Sequence, residues 1–366
     1  MILKTYYFII NRLIKKDLFS LESLFNISIL TSTFLCVFVT SITLSITSGF
    51  KNNITSKIIK FDGFARLSLN SLSSNEFEEI QISHFKEFES FYSSQFIIKS
   101  KNDSELINFY ATDKLLDKIE NLTIYNDSVS NNGVFIGREL NDKLFPNGLK
   151  SSSSALLINK ENNPYNIVSI NGVFNTGVSF FDRHFVLSNI NDISFIDAND
   201  LEFIISENDY RTINQTFKNK IVTYKERYFD FLKWLDSFDL PIFILLMSLI
   251  LVSLVNNSFC FKIEMLNKKK NYLIMNILGL SNSKISLIYS LKLLILNLIG
   301  VVLGLLFSIS ILIIESKMNF IQLPVDIYFT SIIPINFNYT NFIIAPLIIL
   351  AQSLYFILYK KINYDF

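Results

Sequence analysis

Two histidines, two cysteines and one carboxylate are the side chains of this 366-residue sequence with the most direct claim to chemistry. His184 sits in Phe180-Phe181-Asp182-Arg183-His184-Phe185, where Asp182 could orient the imidazole as a general base. No nucleophile motif of the G-x-S-x-G kind accompanies it, so His184 reads as structural. His84 falls on the apolar side of a helical pattern (Phe77, Ile80, His84, Phe88, Phe91) and reads as a packed histidine. A four-ligand zinc site would need both His and both Cys, and these are scattered along the chain. Neither H-E-x-x-H nor G-x-x-x-x-G-K-[ST] occurs, so the chain is not read as an enzyme and is expected to hold no cofactor or metal of its own.

The elements that carry these residues are set by hydropathy. Half of the chain is hydrophobic, only 18% is charged, and mean hydropathy is +0.36. Thirty-three Lys and Arg against 32 Asp and Glu leave a net charge of +1, which offers no basic surface for nucleic acid. A bilayer core of about 30 Å needs about 20 apolar helical residues. Uncharged runs over residues 23–50 and 240–261 meet that length, a third span is placed at 285–314 around the uncharged run 293–314, and a fourth at 341–359 follows Pro334. The first run is too long for a signal-peptide core and reads as a retained anchor.

Lys and Arg orient the spans, because short basic loops stay in the cytoplasm. Lys4, Arg12, Lys15 and Lys16 precede span one, and Lys262, Lys268, Lys269, Lys270, Lys284 and Lys292 surround residues 262–284. Lys360 and Lys361 follow span four. Both termini (1–22, an interfacial helix or a plain lead-in, and 360–366) and the 262–284 loop are expected inside, with 51–239 and 315–340 outside. The outer segment carries 20 Lys and Arg against 26 Asp and Glu and no cysteine.

Within 51–239 the pattern predicts a mixed α+β domain. The helical spacing at Phe77–Phe91 is followed by strands at Phe96–Ile98 and Leu106–Tyr110 about a polar turn. A buried strand at Gly133–Gly137 leads into a helix at Arg138–Leu144. Strands at Ala155–Ile158 and Ile167–Phe174 flank a turn at Asn159–Asn166, and helices are expected at Asn191–Ala198 and Glu207–Asn219. The fold class is therefore a polytopic α-helical membrane protein with four spans and a large extracytoplasmic α+β domain inserted between the first and second. Charges are essentially absent from the spans, which disfavours a proton path. Thr33, Thr40 and Thr47 recur on one helix face, Ser41, Ser45 and Ser48 on a neighbouring one, and Gly300-x-x-x-Gly304 allows close helix approach.

Lys268-Lys269-Lys270-Asn271-Tyr272-Leu273-Ile274-Met275-Asn276-Ile277-Leu278-Gly279-Leu280-Ser281, between spans two and three, resembles the cytoplasmic coupling segment of FtsX-like ABC permeases. Four further blocks resemble the LolC/LolE type within that superfamily: Ser48-Gly49-Phe50, Val134–Leu140, Ile170–Gly177 with Phe181-Asp182, and Leu323–Phe329 with Ile333-Pro334. Asn271 and Asn276 stand where that family carries an acidic and a basic residue, which leaves apolar docking to Leu273, Ile277, Leu278 and Leu280.

The resemblance implies the permease half of a lipoprotein-releasing transporter in a bacterial inner membrane. Its ATP and Mg would sit on a separate cytoplasmic ATPase that contacts Lys270, Asn271, Leu273, Ile277, Leu278, Gly279, Leu280 and Ser281. A second permease copy or paralogue, membrane lipid, a lipoprotein substrate and a periplasmic carrier complete the implied partners. Ser41, Ser45, Ser48, Gly300 and Gly304 are the candidates for span packing or an acyl path, and Pro164 and Tyr165 for a carrier contact. The rival readings are an FtsX-like regulator of a cell-wall hydrolase, a MacB-like exporter and a membrane-anchored receptor.

Overall fold

A computed structural model describes residues 23–68, 89–100, 103–113, 122–124, 133–146, 148–149, 153–159, 165–192, 201–212, 220–324 and 330–358. The chain divides into two compact units. One holds the described residues up to Lys51, Leu235–Ile321 and those from Ile333 onward; the other holds Asn52–Trp234 with Gln322–Ile332.

The first unit is helical. Four helices among the described residues are long and apolar enough to cross a membrane. They are α1 (Ser23–Asp62), α7 (Asp239–Asn267), α9 (Asn282–Met318) and α10 (Thr340–Leu358). The uncharged runs locate all four, but α1 continues 12 residues beyond the expected end at residue 50, and α7 continues past residue 261 to include Lys262 and Glu264. Charge ends the apolar stretch; it does not end the helix. Cys36, Val37, Ile250, Val301, Ala345 and Ile349 form one buried cluster drawn from all four helices.

Among the described residues the second unit is built on a ten-stranded sheet. Its strands are β1 (Ala65–Ser68), β2 (Glu89–Lys99), β3 (Ser104–Thr112), β4 (Leu122–Ile124), β5 (Gly133–Gly137), β6 (Ser154–Asn159), β7 (Tyr165–Phe174), β8 (Phe185–Asn189), β9 (Leu201–Ile205) and β10 (Ile221–Thr223). Short helices α2 (Arg138–Leu144), α3 (Ser179–His184), α4 (Glu207–Thr212), α5 (Tyr224–Arg227) and α6 (Phe229–Asp236) interrupt them. The pairings β2-β3-β8-β5-β7-β6 return to β2 and close a ring. β2 makes this possible by changing partner along its length: Glu89–Tyr92 pairs with β9 and Phe96–Lys99 with β6.

Side chains alternate across a strand, and the buried sets follow that period. Phe96 and Ile98, Ile107, Phe109 and Ala111, Val134 and Ile136, and Ala155 and Leu157 turn inward with Val168, Ile170 and Val186. Leu140 and Leu144 of α2 join the same cluster. A second, aromatic cluster gathers on Phe61, whose ring lies 4.4 Å from Phe181 and 5.4 Å from Phe185.

The strands expected at 96–98, 106–110, 133–137, 155–158 and 167–174 and the helix at 138–144 are present. Phe91, expected on a helix, lies in β2 opposite Thr112 of β3 and Glu202 of β9, so cross-strand pairing overrides the local spacing. Phe77, Ile80, His84 and Phe88 lie outside the described residues, as do 1–22 and Pro164. Ile190–Asp192 is a 3-10 turn and α4 covers Glu207–Thr212, while the rest of the helices expected at 191–198 and 207–219, residues 193–198 and 213–219, lies outside the described residues.

Candidate coupling and transmission site

The segment joining α7 to α9 folds as a short helix, α8 (Lys269–Ile277). Its end is a Schellman motif: Gly279 N–H donates to Asn276 O and Leu280 N–H to Met275 O, at 2.9 and 3.1 Å. The turn needs φ +91 at Gly279, a left-handed value that glycine adopts without strain. Tyr272 is buried, and Met275 and Leu280 pack with it against Phe261, Met265, Ile285 and Tyr289. Leu273, Ile274, Ile277 and Leu278 face away from that core; Ile277 and Leu278 are 84% and 77% exposed. Lys269, Lys270, Asn271, Asn276, Gly279 and Ser281 are exposed around them. The result is a rigidly seated helix with an apolar tip and a basic N-terminal end.

A buried ion cluster lies at the root of this helix. Glu264 of α7 pairs with Lys292 of α9, and Lys268 Nζ lies 3.5 Å from the same carboxylate oxygen. Lys268 and Lys292, two of the lysines that orient the spans in the sequence, are 2% and 1% exposed. Desolvating a charge is costly unless it is paired and hydrogen-bonded, so Glu264 makes it possible to tuck both lysines against α7 and α9.

Farther along the helices an amide ladder ties all four together. Asn297 Oδ1 accepts from Thr33 Oγ1 at 2.8 Å and from Asn257 Nδ2 at 3.1 Å, while its Nδ2 donates to Ser353 Oγ at 2.8 Å. Ser32 Oγ donates to Asn257 Oδ1 and Asn256 Nδ2 to Ser28 O, at 3.2 Å each. Thr33 thus bonds across helices, whereas Thr40 Oγ1 donates to its own helix at Cys36 O. Sequence reading singled out the threonines and missed the asparagines, whose signal was their position inside otherwise apolar runs.

Gly300 and Gly304 are where α9 meets α1. A Cβ on Gly300 would stand 2.9 Å from Thr33 Cβ, and one on Gly304 would stand 3.0 Å from Phe34 O and Val37 Cβ. Ser41 and Ser45 are fully buried within the helical unit. Among the described residues neither Oγ has a hydrogen-bond partner. Ser48 Oγ donates to Leu44 O and accepts from Asn341 Nδ2 at 3.0 Å.

Two of the sequence blocks meet here: a Cβ on Gly49 would collide with the carbonyl of Pro334, and Asn336 N–H donates to Ser45 O at 3.0 Å. Lys51 and Asp239, the charges that bracket the first two uncharged runs, pair at 3.0 Å, and Lys51 also pairs with Asp236.

Two other blocks meet in the sheet unit. Gly137 ends β5 against the backbone of Asp182, where a Cβ would not fit. Asp182 does not orient His184. It accepts hydrogen bonds from Thr176 N–H at 2.8 Å, Thr176 Oγ1 at 2.9 Å and Gly177 N–H at 3.2 Å. Burial raises its pKa from the usual carboxylate range, and these bonds oppose the rise. Tyr165 opens β7, with its backbone paired to Ile158.

Asp62, at the end of α1, is fully buried in this unit and pairs with both Arg66 and Arg227, the latter at 2.8 Å. Arg66 also lies 3.7 Å from the centre of the Phe91 ring and bonds Glu202. Desolvation lowers the pKa of both guanidinium groups.

The chain thus combines four helices long and apolar enough to cross a membrane, a sheet-bearing unit and a seated connecting helix with an apolar tip. No family model matches the chain. Over 339 residues it is 23% identical to the lipoprotein-releasing system transmembrane protein LolC of Buchnera aphidicola subsp. Schizaphis graminum (strain Sg), covering 82% of this chain and 83% of that one. The periplasmic region of MacB from Actinobacillus actinomycetemcomitans aligns with 44% of this chain and 88% of its own, at 15% identity and a TM-score of 0.27. The extracellular domain of the ABC-type transporter YknZ from Gram-positive bacteria aligns with 44% and 98%, at 9% identity and a TM-score of 0.29. Over most of its length the chain is thus similar to a lipoprotein-releasing system transmembrane protein.

Proposed function

We propose that this permease extracts lipoproteins from the outer leaflet of a bacterial inner membrane and passes them to a periplasmic carrier, driven by a separate ATPase. The supporting observation is the apolar tip of α8: four exposed apolar side chains on a helix otherwise packed into the bundle need a protein surface to cover them. In this reading the tip lies in the cytoplasm, and ATP and Mg belong to the partner. Each acyl CH₂ contributes about 0.8 kcal/mol to membrane retention, so release of lipid-anchored proteins requires work. The rigid seat of α8 on α7 and α9 would pass that work to the amide ladder and to α1. The exposed apolar face of α7 (Phe243, Met247, Leu251) would meet lipid, acyl chains or a second permease copy or paralogue. The β6–β7 hairpin with Pro164 and Tyr165 is the proposed carrier contact.

Placing Asp at Ile277 and Leu278 tests the docking step, because both side chains are exposed and the fold should tolerate the change. Co-purification of an ATPase is expected to fall at least tenfold, with lipoprotein release falling in parallel. An ATPase retained at the unaltered level would overturn the assignment of α8.

A further inference from the structure

Near the end of α7 that leads into α8, the helical unit opens a cleft of about 230 Å³ lined by Leu254, Val255, Ser258, Phe259 and Lys262 of α7 and Gln352 of α10. The five α7 positions recur at i, i+1, i+4, i+5 and i+8, which sets them along one face of the helix. Gln352 closes the cleft against α10: its Nε2 donates to Leu254 O at 2.7 Å and to Ser258 Oγ at 2.8 Å. Val255 and Phe259 are 47% and 61% exposed, so the walls are apolar surface left open.

Depth and charge identify the occupant. Residues 240–261 of α7 carry no charge. As a helix that run rises about 33 Å, close to a hydrocarbon core of about 30 Å. Lys262 is the first charge beyond it and therefore stands at the level of the lipid phosphates. Its side chain is exposed. No carboxylate among the described residues pairs with it, although Glu264 close by holds both Lys268 and Lys292. Leu254, Val255 and Phe259 lie about 5–12 Å deeper along the same helix, where acyl chains run. A lysine stem lies along such apolar surface while its ammonium reaches the polar layer. A cation at phosphate depth above an open apolar cleft complements a molecule with an anionic head and a hydrocarbon tail.

We infer that this cleft binds one anionic phospholipid from the leaflet on the α8 side, with its phosphate on Lys262 Nζ and one acyl chain along Leu254, Val255 and Phe259. The ligand is lipid of the surrounding membrane, and the inference stands apart from the lipoprotein reading.

The full chain, purified in mild detergent and stripped of co-purified lipid, is titrated with phosphatidylglycerol or phosphatidylcholine of the same acyl chains, and retained lipid is counted by native mass spectrometry. A single phosphatidylglycerol is expected to be held about fivefold more tightly than phosphatidylcholine, the worth of one lysine beside anionic lipid. K262Q is expected to erase that preference and K262R to keep it. K284Q, at another exposed lysine, is expected to leave it unchanged. V255W, which fills the cleft from an exposed position, is expected to weaken retention of both lipids. Equal retention of the two lipids by the unaltered chain, a preference that survives K262Q, or the same loss in K284Q would each overturn the proposal. Displacement of phosphatidylglycerol by millimolar inorganic phosphate would also overturn it, making Lys262 a site for free anion. So would a V255W chain that splits a dimer with lipid retention unchanged, because a second copy would then cover the face.

Discussion

Gly49 and Pro334 touch backbone to backbone, although 285 positions separate them in the chain: the Pro334 carbonyl occupies the place a Cβ on Gly49 would take. Both belong to motifs that were read separately in the sequence, and their contact explains why neither residue stands alone. The carbonyl cannot rotate away as a flexible side chain would.

G49A is accordingly expected to destabilise the helical unit by about 1–3 kcal/mol, the usual cost of overpacking. G148A makes a useful contrast, since nothing lies near a Cβ there but φ is +81. Its expected cost is only the left-handed penalty of about 1–2 kcal/mol. Thermal unfolding in mild detergent separates the two if G49A loses the helical unit while G148A loosens the sheet unit alone.

Asp62 supports a second test. D62N removes the charge that Arg66 and Arg227 share inside the sheet unit, leaving two desolvated guanidinium groups. Breaking a buried pair from one side typically costs about 3–5 kcal/mol. Urea unfolding followed by Tyr and Trp emission should show the midpoint falling by that equivalent; a midpoint within 0.5 kcal/mol of the parent would rule out a structural role for this cluster.

Asp182 makes stability depend on pH with an unusual sign. Its folded pKa is raised by burial, so between the unfolded value near 3.9 and the folded value the native state holds the extra proton. Stability from this group is therefore greatest below the unfolded pKa and declines as pH rises through the folded one. D182N is expected to remove that decline, and to lower stability throughout because an amide N–H₂ would face the Gly177 N–H donor. Denaturant midpoints measured from pH 3 to 8 check both.

Glu264 and Lys292 can be separated by a mutant cycle. E264Q leaves Lys292 and Lys268 without their shared carboxylate and is expected to cost about 3–5 kcal/mol. K292M added to E264Q should restore part of the loss, because one buried charge is removed with its partner. Unfolding in mixed SDS micelles measures the coupling, and strictly additive losses would mean the pair does not interact.

The legible part of the fold is the part with a local period. Uncharged runs located α1, α7, α9 and α10, and short apolar runs beside polar turns located β3, β5, β6, β7 and part of β2. Strands β1, β9 and β10 have four, five and three residues and are specified by one another, Ala65 pairing with both Ile205 and Thr223. No local pattern carries that information. Lys268 and Lys292 were read only as charges that orient the spans; Glu264, one turn before Lys268 and on a different helix from Lys292, lets both be buried. The blocks around Gly137 and Asp182 are separate in the sequence and meet in a tight packing joint, a contact that neither stretch announces by itself.

The link between Asp62 and Arg227 also sets an order of events during synthesis. The two residues are 165 positions apart, so at roughly 5–20 residues per second the ribosome needs roughly ten to thirty seconds to deliver the second after the first. Throughout that interval Asp62 has, among the described residues, Arg66 alone as a counterion, and β1 lacks its last strand neighbour, β10. The sheet unit therefore closes as a late event governed by translation speed, and rare codons between the two positions would lengthen the time during which its incomplete edge is open to other chains.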